Sequence, residues 1–262
     1  MVRNSQESFE GGGYSNRALA PSTTVAENVL AGTLIAGGGN DIRESWGTIG
    51  GGDTNFVYAE GGFIGGGANN LVDPSSPYSV IGGGELNCTQ AGYSAIIGGA
   101  RNCVLSDASF LGGGDTNSIF PGATLSGIMG GSQNTIFDTS ERGFIGGGTN
   151  NAINSIATAA ACYSSIAGGQ NNQIPSGNFS VIMGGDNNVI TGNHNAILGG
   201  RDNNDNGFNC VGIFGDTIGA VMNNAFHART YVAQNMPLGT GSGTPRQLYF
   251  KIVGTANAVF IN

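Results

Sequence analysis

One short motif recurs along most of this chain, and its period leaves few folds open. The segment Ser79-Val80-Ile81-Gly82-Gly83-Gly84-Glu85-Leu86-Asn87 returns as Ser94-Ala95-Ile96-Ile97-Gly98-Gly99-Ala100-Arg101-Asn102 and again as Ser180-Val181-Ile182-Met183-Gly184-Gly185-Asp186-Asn187-Asn188. The common unit is Ser-x-Ile-x-Gly-Gly-x-x-Asn-x-Ile. Its apolar anchors are Ile35, Ile49, Ile64, Ile81, Ile96, Leu111, Ile128, Ile145, Ile166, Ile182, Ile197 and Ile213, which lie 14, 15, 17, 15, 15, 17, 17, 21, 16, 15 and 16 residues apart. Asn follows six residues after ten of these anchors: Asn55, Asn70, Asn87, Asn102, Asn117, Asn134, Asn151, Asn172, Asn188 and Asn203. A Gly pair follows two and three residues after eleven of them, failing only at Ile213. Eight residues after most anchors an aliphatic returns, as at Val57, Val72, Val104, Ile119, Ile136, Ile153, Ile174 and Ile190. A degenerate unit precedes the series at Gly12, Gly13 and Asn16, with Glu10 in the anchor slot.

A unit of about 15 residues has room for two short strands and two turns, and none for a pair of helices. Glycine, 49 of the 262 residues, disfavours helix interiors by about 1 kcal/mol each. The clustered glycines do not fit the every-third-residue rule of collagen. The 39% apolar content argues against disorder. The expected fold is therefore all-β: a parallel β-solenoid of about twelve rungs, each roughly 4.8 Å above the last, on the order of 50 Å in total. The anchors would form an Ile ladder and the asparagines an amide ladder along the axis. The Gly pair would supply positive φ at a corner where a Cβ clashes. Extra residues, as between Ile145 and Ile166, would leave as loops.

Charge supports the stacking. Four residues after successive anchors stand Asp53, Ala68, Glu85, Ala100 and Asp115, so like charges would not occupy adjacent rungs. Asp186 is followed one rung later by Arg201, of opposite sign. So thin a tube encloses a narrow core, and a partner chain is expected, with homotrimerisation around the fibre axis the preferred arrangement.

The Ser-x-Ile-x-Gly-Gly-x-x-Asn-x-Ile unit resembles the head repeats of trimeric autotransporter adhesins and related repeats in bacteriophage and other viral tail fibres. The resemblance covers residues 35–218 and implies a left-handed parallel β-roll with three chains side by side. It is specific for architecture and weak for ligand. The chain departs from the adhesin pattern where bulky Ile fills slots that family often gives to Ala. Neither a secretory segment nor a C-terminal membrane barrel is legible. The resemblance then implies a structural fibre of a virion, a tail fibre or host-attachment component. Its alternatives are a bacterial adhesin head on the cell surface and a polysaccharide-cleaving tailspike. The implied partners are further copies of the chain, other virion proteins at the N-terminal region, and a host-surface glycan or protein.

The ends differ from the middle. Residues 1–34 read as an attachment arm or cap, 35–218 as the repeat region, and 219–262 as a β-rich cap or tip. The last segment holds a turn-rich stretch, 239–245, and two strands within 248–261. A solenoid needs its last apolar rung covered, so a cap is the plain reading. The sharper one is a host-contacting tip using Phe226, His227, Tyr231, Tyr249 and Phe250.

Little else suggests chemistry. A net charge of −8 with nine Lys and Arg argues against nucleic acid, and no stretch of about 18 apolar residues offers membrane insertion. Cys88 and Cys103 would stack on neighbouring rungs as a reduced pair within disulfide range. Cys162 and Cys210 complete the four, and His194 and His227 have no companion at metal-ligand spacing. The Gly-Gly-Gly-Asp runs at 50–53 and 112–115 lack the nine-residue repeat of calcium rolls. Thr is too irregular for an ice-binding face, and no Gly-Lys-Ser/Thr loop occurs. Paired carboxylates for glycan cleavage are not evident, since the acids stand singly. No enzyme activity, cofactor or metal is expected.

Overall fold

The computed structural model describes residues 11–18, 37–153 and 160–228 in full, and the strands at Val2–Arg3, Phe9–Glu10 and Thr33–Leu34, with Leu19, by backbone alone. Among these residues every regular element is a strand, most only two residues long. The strands form two parallel sheets, and the chain crosses between them rung after rung. The anchor sheet has 14 strands and the return sheet 11. The result is a parallel β-solenoid.

Register follows the repeat. In the anchor sheet Ile49, Ile64, Ile81, Ile96 and Leu111 are successive partners. In the return sheet Val57 pairs with Val72, and Val104 with Ile119. A third line of parallel bridges runs along one corner, through Asp53, Ala68, Glu85, Ala100 and Asp115, and later through Asp186 and Arg201. The alternation of acids with alanine thus does separate like charges by a rung.

At the first rung the pairing corrects the anchor by one residue. Leu34, not Ile35, is the partner of Ile49, and Asn40 then occupies the amide slot six residues on. The Gly37-Gly38 pair suggested Ile35, but the hydrogen-bonded amide sets the frame, in which Ala36 takes the place of the pair's first glycine. Strand pairing also continues beyond 35–218. Val2–Arg3 pairs with the strand of Ala18, Glu10 with Leu34, and Val211–Phe214 with Ala225–Ala228. The Glu10 pairing is that of the degenerate unit with Gly12, Gly13 and Asn16. For the other two, backbone hydrogen bonding demands no particular side chain, which is why rungs without the motif escape detection in sequence.

Two apolar ladders fill the interior: the anchors and the residues eight positions later, nearly all with no exposed surface. Each buried Ile contributes about 1.5–3 kcal/mol relative to exposure. Two polar ladders flank them. Asn117 donates its Nδ2 to the Gly113 carbonyl of its own rung (3.0 Å) and the Gly131 carbonyl of the next (2.9 Å). Its Oδ1 accepts the backbone N–H of Asn134 at 2.9 Å. The same pattern links Asn16 and Asn40 into the series and continues to Asn203. The motif serine forms the second ladder. Ser164 Oγ donates to the Gly177 carbonyl (2.7 Å) and accepts the N–H of Ser180 (3.1 Å).

The two glycines of the pair are not equivalent. At Gly99, with φ of +86°, a Cβ would lie 2.2 Å from the Gly114 carbonyl oxygen and 2.7 Å from Asn102 Nδ2. At Gly98 the nearest atom would be 4.0 Å away and φ is outside the positive range. At this rung only the second glycine is required by the stack, whereas at Gly113, Gly147 and Gly199 the first also has positive φ, at 143°, 150° and 144°. Gly99→Ala is therefore expected to destabilise the fold by about 1–3 kcal/mol or more, whereas Gly98→Ala stays within about 0.5 kcal/mol. Urea denaturation of the two variants checks this, and equal losses would refute the distinction.

Two polar residues interrupt the second apolar ladder, in different ways. Thr89 stands between Val72 and Val104, fully buried, with its hydroxyl making no hydrogen bond. Asp205, also fully buried, accepts from the N–H groups of Thr191, Gly192 and Gly207, from Thr191 Oγ1 and from Asn195 Nδ2. The same substitution should act oppositely at the two sites. Thr89→Val removes an unpaired hydroxyl and should stabilise by about 1 kcal/mol, while Asp205→Val strands several donors at about 1–3 kcal/mol each. Thermal denaturation of both variants reads the signs directly.

Candidate functional site

Strand alternation sends the residues immediately before and after each anchor to the outside of the anchor sheet. From Thr48 to Ala228 none of these outward positions holds Asp, Glu, Lys or Arg. Several carry large apolar side chains that solvent reaches, such as Phe110 (36% exposed) and Met129 (51%). Bulk is distributed with a rule. Where the residue before the anchor is Phe, as at Phe63, Phe110 and Phe144, the residue after it is Gly (Gly65, Gly112, Gly146). Where the residue after is large, as at Ile97, Met129, Leu198 and Phe214, the one before is Ala or Gly (Ala95, Gly127, Ala196, Gly212), with Met183, preceded by Val181, the exception. Most rungs therefore present one knob, on one edge of the face or the other.

The sequence-expected contact residues divide on this face. Phe226 lies in the strand Ala225–Ala228, in register with Gly212, and is 58% exposed, so it continues the apolar face. His227 is in register with the anchor Ile213 and is half-buried; its Nε2 makes no hydrogen bond. The two therefore point to opposite sides of one strand. Tyr231, Tyr249 and Phe250, with the hairpin expected within 248–261, fall outside the described residues.

Beside the face runs a corner that the motif did not reveal. Three residues before each anchor from Ile49 to Ile213 the backbone takes positive φ, and the position holds Trp46, Tyr78, Tyr93, Leu125, Arg142, Tyr163, Phe179 and His194 in various rungs. Tyr78 stacks on Tyr93 at 5.6 Å, Tyr163 on Phe179 at 4.9 Å, and Phe179 on His194 at 5.3 Å. The Arg142 guanidinium lies 5.0 Å over the Tyr163 ring. Bulky residues seldom adopt positive φ, at a cost of about 1–2 kcal/mol each. Their signal was present in the sequence as an aromatic three residues before many anchors, but the conformation was not.

Charge is kept elsewhere. Asp53, Glu85, Asp115, Asp186 and Arg201 line the corner bridges. Arg17, Asp41 and Arg43 cluster on the return sheet, with Arg43 Nη2 2.8 Å from Asp41 and its guanidinium 4.3 Å over the Tyr58 ring. Burial and the Asp41 charge push the Tyr58 hydroxyl above the usual tyrosine range, and the hydrogen bond to Asp41 raises the Arg43 guanidinium further. Among the described residues no three His, Cys, Asp or Glu side chains converge as a metal site would need, and no helix is long and apolar enough to cross a membrane. The arrangement is suited to association through a surface. Compared with known proteins, the chain matches no family model, and no curated protein matches it.

Proposed function

We propose that this protein is a structural fibre component: a rigid solenoid that assembles as a homotrimer and serves as a tail fibre or host-attachment element of a virion. The observation that carries the reading is the uncharged outer face of the anchor sheet, in constant register from Thr48 to Ala228. Twelve rungs at about 4.8 Å and a width of about 10 Å give roughly 500 Å² of projected surface per chain. That is at the upper end of the largest apolar patch on a typical monomer, about 300–600 Å². Doubled across two chains, it reaches the roughly 1,000 Å² of a specific interface. A partner with the same rung spacing meets every knob with the same offset, and another copy of this chain has that spacing. The virion assignment rests on the motif's resemblance to viral fibre repeats. In that role the rod is a spacer, the N-terminal region joins other virion proteins, and the far region meets a host glycan or protein.

Sedimentation equilibrium of the purified chain is expected to give three chain masses. Phe110→Lys combined with Met129→Lys should yield single chains with unchanged strand content by circular dichroism, since both side chains point outward. A stable monomer of the unsubstituted protein would overturn the fibre reading. For attachment, excess protein should block adsorption of the particle to its host cells. Failure to block reduces the role to a spacer.

A further inference from the structure

A pair of thiols on the outer face of the return sheet forms a site that the fibre reading does not use. Cys88 and Cys103 are direct register partners on neighbouring parallel strands, Cys88–Thr89 and Cys103–Val104. Because Thr89 and Val104 fill the interior slots, both sulfurs point outward, and both residues are half-buried. The Cys103 thiol donates to the Cys88 sulfur across 3.1 Å. A disulfide needs Cα atoms about 4.4–6.8 Å apart and sulfurs about 2.05 Å apart. The strand spacing of about 4.8 Å meets the first requirement, and a modest rotation about the two Cα–Cβ bonds brings the sulfurs the remaining distance. Cys162, whose Sγ donates to the Thr139 carbonyl, and the exposed Cys210 have no such arrangement.

We propose that Cys88 and Cys103 are a redox-responsive pair that closes to a disulfide staple between two rungs when the protein meets small-molecule disulfides of the glutathione type. The shared hydrogen bond gives the two sulfurs different roles. Donation from Cys103, with help from the Gln90 side chain, lowers the Cys88 thiol, and the same contact holds the Cys103 proton in place. Cys88 is thus the attacking sulfur and Cys103 the resolving one. Cys88 thiolate attacks one sulfur of the small disulfide, forming a mixed disulfide and releasing one small thiolate, which takes up a proton. Cys103 then gives its proton to solvent and attacks the Cys88 sulfur, expelling the second small thiolate. Two protein thiols and one small disulfide become one protein disulfide and two small thiols. The closed loop spans 15 residues and would add a covalent tie to rungs otherwise joined by hydrogen bonds and apolar packing. The staple would harden the rod on passage from a reducing to an oxidising medium.

The test uses the full chain equilibrated across glutathione redox buffers, with thiols counted in denaturant and peptides mapped by mass spectrometry. Two of the four thiols should disappear together, with a Cys88–Cys103 cross-linked peptide, while Cys162 and Cys210 remain free or carry glutathione. Cys103→Ser should accumulate the mixed disulfide at Cys88 faster than Cys88→Ser does at Cys103, because only Cys88 is activated. Oxidation should raise the unfolding midpoint of the unsubstituted chain, and neither serine variant should show the rise. If no cross-linked peptide forms at the most oxidising poise, or if the four thiols react at equal rates and the bond forms between chains, the proposal is overturned.

Discussion

Everything in this solenoid depends on one carboxamide repeated once per rung. An aliphatic ladder has no directional preference, and isoleucines alone would allow a strand to slide along its neighbour. A one-residue slip would turn every anchor outward. The ladder asparagine removes that freedom because its contacts are directional and span two rungs. At Asn117 the amide ties the Gly113 carbonyl of its own turn to the Gly131 carbonyl of the next, while its oxygen receives the following Asn134 N–H. Rise and register come from the same group. The glycine three residues after each anchor up to Ile197 belongs to this device, since the next rung's carbonyl and the amide nitrogen occupy the space of a Cβ, as seen at Gly99. Glycine abundance here reflects close packing of backbone against backbone, the opposite of a flexible linker.

Corners closed in this way impose positive φ on residues that would not choose it. Tyr93 and Arg101 both adopt it, at φ of 56° and 55°, and both are held by rung-to-rung backbone bonds, Tyr93 to the Pro77 carbonyl and Arg101 to the Glu85 carbonyl. With the backbone fixed by its neighbours, the outward side chain at such a corner has no part in closing the turn. Asn and Gly would adopt the conformation at lower cost. Aromatic rings at the corner before the anchor are therefore unexplained by backbone needs, and the stacking of Tyr163, Phe179 and His194 recovers only about 0.5–1.5 kcal/mol per pair. They widen the apolar surface beside the anchor sheet.

Much of the interior was legible in the sequence because period, anchor and amide are each marked by a side chain. Ile49 through Ile213 and Asn55 through Asn203 stand in the ladders to which their spacing assigns them. The misplacement of Ile35 arose because Ala36 takes the place of the pair's first glycine and the run Gly37-Gly38-Gly39 lies one residue late relative to Leu34, and the hydrogen bond from the Asn55 N–H to Asn40 resolves it. The rung of Glu10 kept enough of the motif, in Gly12, Gly13 and Asn16, to be read from the sequence, whereas the strands Val2–Arg3 and Ala225–Ala228 pair through backbone without motif side chains, which side-chain patterns could not reveal. The breaks at Thr89 and Asp205 show a further limit. Both are polar residues in an apolar slot, and only the surrounding donors distinguish an unpaired hydroxyl from a carboxylate with five donor groups around it. Four of those donors, on Thr191, Gly192 and Asn195, come from the preceding part of the stack. The outward face was visible in principle as an absence of charge around each anchor, but its meaning needed the knowledge of which residues point out.

Segregation of charge gives that face its selectivity. The acids at Asp53, Glu85, Asp115 and Asp186 sit on the corner four residues past the anchor, along one rim of the apolar surface. Rim groups stay hydrated when such a surface is covered, and contribute little attraction. They do penalise a partner that approaches out of register with acids of its own, because like charges brought close without pairing cost free energy. The alternation of these acids with Ala68 and Ala100 keeps neighbouring rungs of one chain from repelling, and Arg101, paired with Asp115, and Arg201 offset part of the rim's negative charge. A surface that is apolar along its length and acidic at its edge favours a regular partner in one alignment over indiscriminate adhesion. The charged rim supplies hydration that the apolar face by itself lacks.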